Sequence, residues 1–141
     1  MLKVVIDASI ALKWLNRASE TEVVSARNLY RRLLAGTIEI WSPNFLLIEV
    51  LNILVMKKKI ERKKALRLIK RLTQRNIHFA TFTETDITGL GRVMFDHHIS
   101  SYDALYLHLT KKLKCKLVTA DQKLLEIKRW TIGLGSFAER V

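Results

Sequence analysis

Leu2-Lys3-Val4-Val5-Ile6 is a short, mostly apolar run that ends on an acid, Asp7. This pairing constrains the chain more than any other stretch. Apolar, β-branched runs of this length suit a strand buried on both faces of a parallel sheet. In open parallel sheets ligands bind beyond the carboxyl ends of the strands. An acid at that point is therefore a cap of the following helix or a site residue, and the remaining sequence decides between the two.

Taken in order, the chain alternates. Ala8 to Leu15 reads as a short helix, and Ser19 or Thr21 can cap a second one running from about Glu20 to Leu34. Its apolar residues Val23, Ala26, Leu29, Tyr30, Leu33 and Leu34 recur at helical spacing, and Gly36 ends it. Ile38 to Trp41 is a second strand, and Ser42-Pro43 is expected to close it and open the next helix. That helix, Asn44 to Lys58, is apolar nearly all round, which predicts deep burial. Glu49 sits in its middle, where an unpaired carboxylate would need a cation, a donor or a metal. Alternatively, it shares a narrow exposed stripe with Asn52 and Met56.

Ile77 to Thr81 is a third strand. Thr83 and Asp86 have the spacing of a capping box, with Asp in place of Glu. His97-His98 follow the next helix, but adjacent histidines rarely point at one ion. Ser100-Ser101-Tyr102-Asp103 opens another helix, and an acid in its first turn also suits the helix dipole. Cys115 to Val118 is a fourth strand, Thr119-Ala120-Asp121 repeats the opening theme of strand then acid, a short helix reaches Ile127, and Trp130 to Ile132 is a fifth strand. Strands alternating with helices imply an α/β fold with a mostly parallel sheet and right-handed crossovers. Asp7 and Asp121 then meet at one sheet edge, with Asp103 and Glu49 close by.

With 141 residues the chain is expected to be a single domain, 1–141. Its net charge of +12, from 25 basic and 13 acidic residues, favours polyanionic partners, nucleic acid first. The basic stretch that starts at Lys57, Lys58, Lys59, Arg62 and Lys63 is either a solvated helix face or a surface for phosphates or an acidic partner. The lone Cys115 excludes an internal disulfide and a cysteine-rich zinc site, and fits a reducing, cytoplasmic setting. Nothing at the start resembles a secretory signal, and the most apolar run, Phe45 to Met56, is too short to cross a membrane.

Four converging carboxylates repel one another and raise each other's pKa. A divalent cation relieves that repulsion, and oxygen-only ligands suit Mg²⁺ or Mn²⁺ rather than zinc. Ions held in this way activate water against a phosphodiester.

Four segments then carry a resemblance: Val5-Ile6-Asp7-Ala8-Ser9, Pro43 followed by Glu49-Val50-Leu51-Asn52, Tyr102-Asp103-Ala104-Leu105-Tyr106, and Leu117-Val118-Thr119-Ala120-Asp121. In this order and spacing the chain resembles PIN-domain nucleases, and among them the VapC toxins of toxin–antitoxin pairs, from Leu2 to about Phe137. The resemblance implies a three-layer α/β/α sandwich with a parallel sheet ordered 3-2-1-4-5 and a Mg²⁺- or Mn²⁺-dependent endoribonuclease. It implies that Asp7, Glu49, Asp103 and Asp121 form the acidic site, with Ser9 and Thr119 supplying hydroxyls to the acids. It also implies an RNA substrate, a small antitoxin that blocks the site, and a homodimer. The rival reading is a weak or inactive PIN-fold module that binds RNA or protein, because a fold does not by itself prove activity.

Overall fold

The computed structural model describes residues 1–139. Five strands, β1 (Leu2–Ile6), β2 (Ile38–Pro43), β3 (Ile77–Ala80), β4 (Lys116–Thr119) and β5 (Thr131–Gly133), form one sheet in the order β3-β2-β1-β4-β5. Every pairing is parallel, with Val5 opposite Trp41 on one side and Leu117 on the other. The helices are α1 (Ala8–Leu15), α2 (Val23–Leu34), α3 (Phe45–Asn52), α4 (Arg62–Thr73), α5 (Ile87–His97), α6 (Ser101–Leu113) and α7 (Leu134–Glu139). The expected sandwich and strand order are both present.

The central strand explains the order. Val4, Val5 and Ile6 are fully buried, so β1 needs helices on both of its faces. Helix α6, backed by α5, covers one face, and α1 with α2, α3, α4 and α7 covers the other. Right-handed crossovers put successive parallel strands on the same side until the chain switches direction. Here the switch falls beside β1, between β2 and β4, and an open sheet has its crevice at such a point.

Several local expectations are corrected. The second helix begins at Val23 rather than near Glu20, and its N-cap position falls on Glu22, in a left-handed conformation (φ 55°) with no side-chain cap. Pro43 ends β2 instead of opening the next helix, because it lies opposite Ala80 of β3, the Asn44 N–H donates to the Ala80 carbonyl (3.0 Å) and the Ser42 hydroxyl is buried against the Ile6 carbonyl (2.9 Å). The long helix expected from Asn44 to Lys58 is α-helical only to Asn52 and continues as a π-turn, Ile53–Lys57, in which Lys58 N–H reaches back five residues to the Ile53 carbonyl. Nor is it buried all round: Leu46, Val50 and Leu54 face the core, but Ile48 and Met56 are about two-thirds exposed. A helix in an outer layer has only one face against the sheet, so its second apolar stripe lies outward.

Other signals hold. Thr83 and Asp86 form the capping box, and Gly36 adopts the positive φ (74°) that stops the chain after α2. Ser100 caps α6, its hydroxyl accepting from Asp103 N–H at 3.2 Å. At the end of α5 the Lys111 ammonium donates to His97 Nε2 at 2.8 Å.

Candidate active site

Asp7 is the first residue past β1 and Asp121 follows β4 by two, so neighbouring parallel strands deliver both to the carboxyl edge. Asp103 lies in the first turn of α6 and Glu49 on α3. All four line one cavity of about 210 Å³, together with Ser9, Leu12, Ile53 and Tyr106.

Asp7 is the best-held of the four. It is only 5% exposed. Its Oδ1 accepts from the Ser9 backbone N–H (3.1 Å) and the Ser9 hydroxyl (2.5 Å), and its Oδ2 accepts from the Thr119 hydroxyl. The N–H contact is the helix cap weighed for this residue, so Asp7 caps α1 and faces the cavity at once. The two hydroxyls are themselves fixed, since Ala120 N–H donates to Ser9 Oγ and Asp121 N–H to Thr119 Oγ1, each at 3.0 Å. Ser9 and Thr119 thus tie the ends of β1 and β4 together. Asp121 turns one oxygen inward, with Oδ1 accepting from the N–H groups of Lys123 (2.9 Å) and Leu124 (3.1 Å).

Glu49 has a partner that the sequence reading did not single out. The hydroxyl of Tyr106, a buried residue, donates to Glu49 Oε1 at 2.6 Å. Tyr106 stands three residues after Asp103, hence on the same face of α6, and that spacing is the signal that could have found it. Lys57, in the π-turn, is the cation that acts on Glu49.

Electrostatics bind the group together. Burial pushes the Asp7 carboxyl up from 3.8 to about 6, against the hydrogen bonds from Ser9 and Thr119 and with the help of Glu49 and Asp121. Glu49 is raised by burial and by Asp103, and held back by Tyr106 and Lys57. Asp103 is raised by burial and by Asp121. Desolvated carboxylates that raise one another fit a site meant to receive a cation.

Among the described residues, no three acidic, histidine or cysteine side chains approach closely enough to grip one ion directly. This loose ring is compatible with Mg²⁺ or Mn²⁺ and not with a structural zinc. Mg²⁺ keeps several waters and takes one or two carboxylates directly, whereas structural zinc requires a closed set of four ligands. The donor set is all oxygen around an open cavity, so the residues present fit the hydrated ion.

The basic residues are less unified. Lys57, Lys59, Arg62 and Lys63 are exposed, the last two on α4. Lys58 is half-buried and bridges to Glu20 at 2.7 Å, with Lys13 on the other oxygen of the same carboxylate. Lys58 therefore belongs to an internal ion pair more than to an open phosphate surface. No helix among the described residues is long and apolar enough to cross a membrane.

Comparison with known proteins agrees with the fold. None of the curated proteins matches the chain. Among solved structures, PAE2754 of Pyrobaculum aerophilum is 18% identical, covers 99% of this chain and 94% of its own, and superposes with a TM-score of 0.68. VapBC2 of Rickettsia felis, bound to a DNA fragment from its promoter, is 16% identical over 94% of this chain and 98% of its own, with a TM-score of 0.71. Mycobacterium tuberculosis VapC20, a toxin that cleaves the sarcin-ricin loop, is 15% identical over 88% and 94%, with a TM-score of 0.67. At these identities the likeness is one of fold. The family comparison goes further: the PIN domain matches residues 4–129, nearly the whole sequence, and the chain belongs to the PIN domain family.

Proposed function

We propose that this chain is a metal-dependent endoribonuclease and the toxin of a VapBC-type pair, folded as a single domain over 1–141. The observation that carries the reading is the cavity at the carboxyl edge. Four of the 13 acids of a chain with net charge +12 line it, and its most buried member, Asp7, is held by two dedicated hydroxyls. Separate turn or cap roles account for each acid alone, but not for their sharing one cavity. The solved structures support the choice of substrate and partner: one similar fold is a toxin that cleaves the sarcin-ricin loop, and another is a VapBC complex.

In this reading Asp7, Asp103 and Asp121 would hold a hydrated Mg²⁺ or Mn²⁺, in part through its waters, and Glu49 would complete the set or orient the attacking water. A divalent ion bound there would supply an activated water and a positive charge for the leaving oxygen. Tyr106 keeps the Glu49 carboxylate aimed and charged. Ser9 and Thr119 fix Asp7 so that its oxygens do not reorganise during the reaction. Lys57, beside Glu49, holds the phosphodiester near the acids, and Lys59, Arg62 and Lys63 extend that contact along the backbone. Hydrolysis leaves a 5′-phosphate and a 3′-hydroxyl. The partners are an RNA substrate, an antitoxin that occupies the cavity, and a second copy of the chain in a homodimer. The setting is the cytoplasm.

The test is cleavage of a mixed single-stranded RNA pool by the wild type and by Asp7→Asn, with Mg²⁺, with Mn²⁺ and with EDTA. Cleavage by the wild type alone, abolished by EDTA, is the expected result. Equal cleavage by Asp7→Asn would overturn the assignment, and no cleavage together with no Mn²⁺ binding would favour a binding module.

A further inference from the structure

A second cavity, of about 590 Å³, opens at the start of β1 and β4, the opposite edge of the sheet from the acids. Lys3, Lys114, Lys116 and Arg129 line it with Trp130, and no Asp or Glu does. All four cations are exposed, and among the described residues none of them is in an ion pair. The acids that do pair, Glu20, Glu39 and Asp86, are not part of this lining.

The cations are also arranged. Lys116 donates to the backbone carbonyls of Lys128 (3.3 Å) and Arg129, which fastens the turn that presents Arg129. The Arg129 guanidinium lies 5.3 Å from the centre of the Trp130 ring, and the Lys111 ammonium lies 5.7 Å from it. Lys3 stands 5.7 Å from the Trp41 ring. Solvated lysines at strand starts are common, but scattered ones do not share a concavity around an aromatic ring. Cations gathered without acids neutralise phosphates and release the counterions condensed on a polyanion, which favours binding. Cations set beside an aromatic face are the combination that follows a nucleic-acid backbone and its bases; an acidic peptide has no use for the ring.

Resting on the ribonuclease reading above, we infer that this groove is a second RNA site, which grips a distant part of the substrate while another part lies at the acids. Lys3 on β1 and Asp7 just past its end are four residues apart, so the two sites are separated by about 13 Å through the sheet, and by more over the surface. A short oligonucleotide at the acids does not reach the groove. The substrate class is therefore a long or folded RNA.

The test uses the full chain carrying Asp7→Asn, in EDTA, so that RNA is bound and not cut. Lys3→Gln, Lys114→Gln and Arg129→Gln are added together. Binding is measured against salt for a stem-loop of about 16 base pairs and for a single strand of about six nucleotides. The expected result for the stem-loop is a slope of log K on log salt shallower by about 2 to 3, with the short strand unaffected. The single variants Lys114→Gln and Arg129→Gln should each remove about a third of that change, and thermal melts confirm that they fold. An unchanged stem-loop slope, or equal losses for both RNAs, would overturn the inference. So would unchanged RNA binding with lost binding of a polyglutamate peptide, which would assign the groove to an acidic protein. With Asp7 restored, cleavage of the short strand should be unchanged. A chain that grips the stem-loop here yet cleaves nothing would sink the nuclease reading and leave the groove standing.

Discussion

Replacing Asp7 by Asn should stabilise the metal-free protein while disabling it. Asp7 is 5% exposed and its carboxyl sits at about 6 instead of 3.8, chiefly through burial. A carboxyl with a folded pKa above its unfolded one binds its proton more tightly in the folded state. The stability linked to that proton is complete below pH 3.8 and is lost as the pH rises through 6. At about 1.4 kcal/mol per pH unit the loss is about 3 kcal/mol at pH 8. Asn has the same shape and no charge, and its amide can still pair with the hydroxyls of Ser9 and Thr119, so Asp7→Asn escapes most of that loss. For a domain of this size the gain corresponds to a rise in Tm of about 10 °C. The assay is thermal or urea unfolding of both proteins in EDTA, from pH 4 to pH 8. The two should converge near pH 4 and separate through pH 5 to 6, with the variant more stable. Adding Mn²⁺ should close the gap from the wild-type side alone, because only the intact site gains from binding. A variant less stable at pH 8, or an advantage that does not change with pH, would refute the reasoning.

Four further outcomes follow from the same geometry. Tyr106→Phe removes the hydroxyl that holds down the Glu49 pKa, so the acidic limb of the pH–rate profile should move to higher pH, with a loss of about 1 kcal/mol in stability; an unmoved limb would make Tyr106 a packing residue. Thr119→Val keeps the shape but strips partners from Asp7 Oδ2 and Asp121 N–H, which should cost about 2 kcal/mol in urea unfolding, while Thr119→Ser should restore it. Neutralising Lys57, Arg62 and Lys63 should flatten the salt dependence of RNA binding by about 2; an unchanged slope would make them a bystander or antitoxin-facing surface. Gly89→Ala places a Cβ 2.7 Å from His108 Cε1, forcing the ring off Asp86 (3.1 Å), and should cost about 1 to 3 kcal/mol in a thermal melt.

The sheet was legible because its evidence is local and redundant. Val4-Val5-Ile6 and Leu117-Val118 are apolar on both faces, and an acid sits just past each run. Such a pattern belongs to few arrangements besides a buried parallel strand feeding a crevice. The gathering of the four acids was legible for the same reason, since each hangs from an element whose direction the topology dictates. What failed was the helix from Asn44 to Lys58. Composition gives the apolar surface of a helix, but not whether another element covers it, so Ile48 looked buried and is exposed, while Met56 lies on the exposed stripe weighed as the alternative. Nor does periodicity report a π-turn, because one extra residue in Ile53–Lys57 changes the register without changing the residue types. The start of α2 was missed because Glu22 holds a left-handed conformation that no residue preference announces. Tyr106 escaped because a tyrosine among leucines reads as core until its hydroxyl is seen to have a carboxylate to serve.

One threonine hydroxyl, that of Thr119, donates to Asp7 and accepts from the backbone of Asp121. The spacing of these two acids is therefore inherited from the pitch of adjacent strands, about 4.8 Å, and no loop length adjusts it. Substitutions around the rim can alter what is delivered to the acids but not how far apart this pair stands. A lineage built on such a floor is free to change its targets while its chemistry stays fixed, and an engineer redirecting the protein has the same freedom and the same limit.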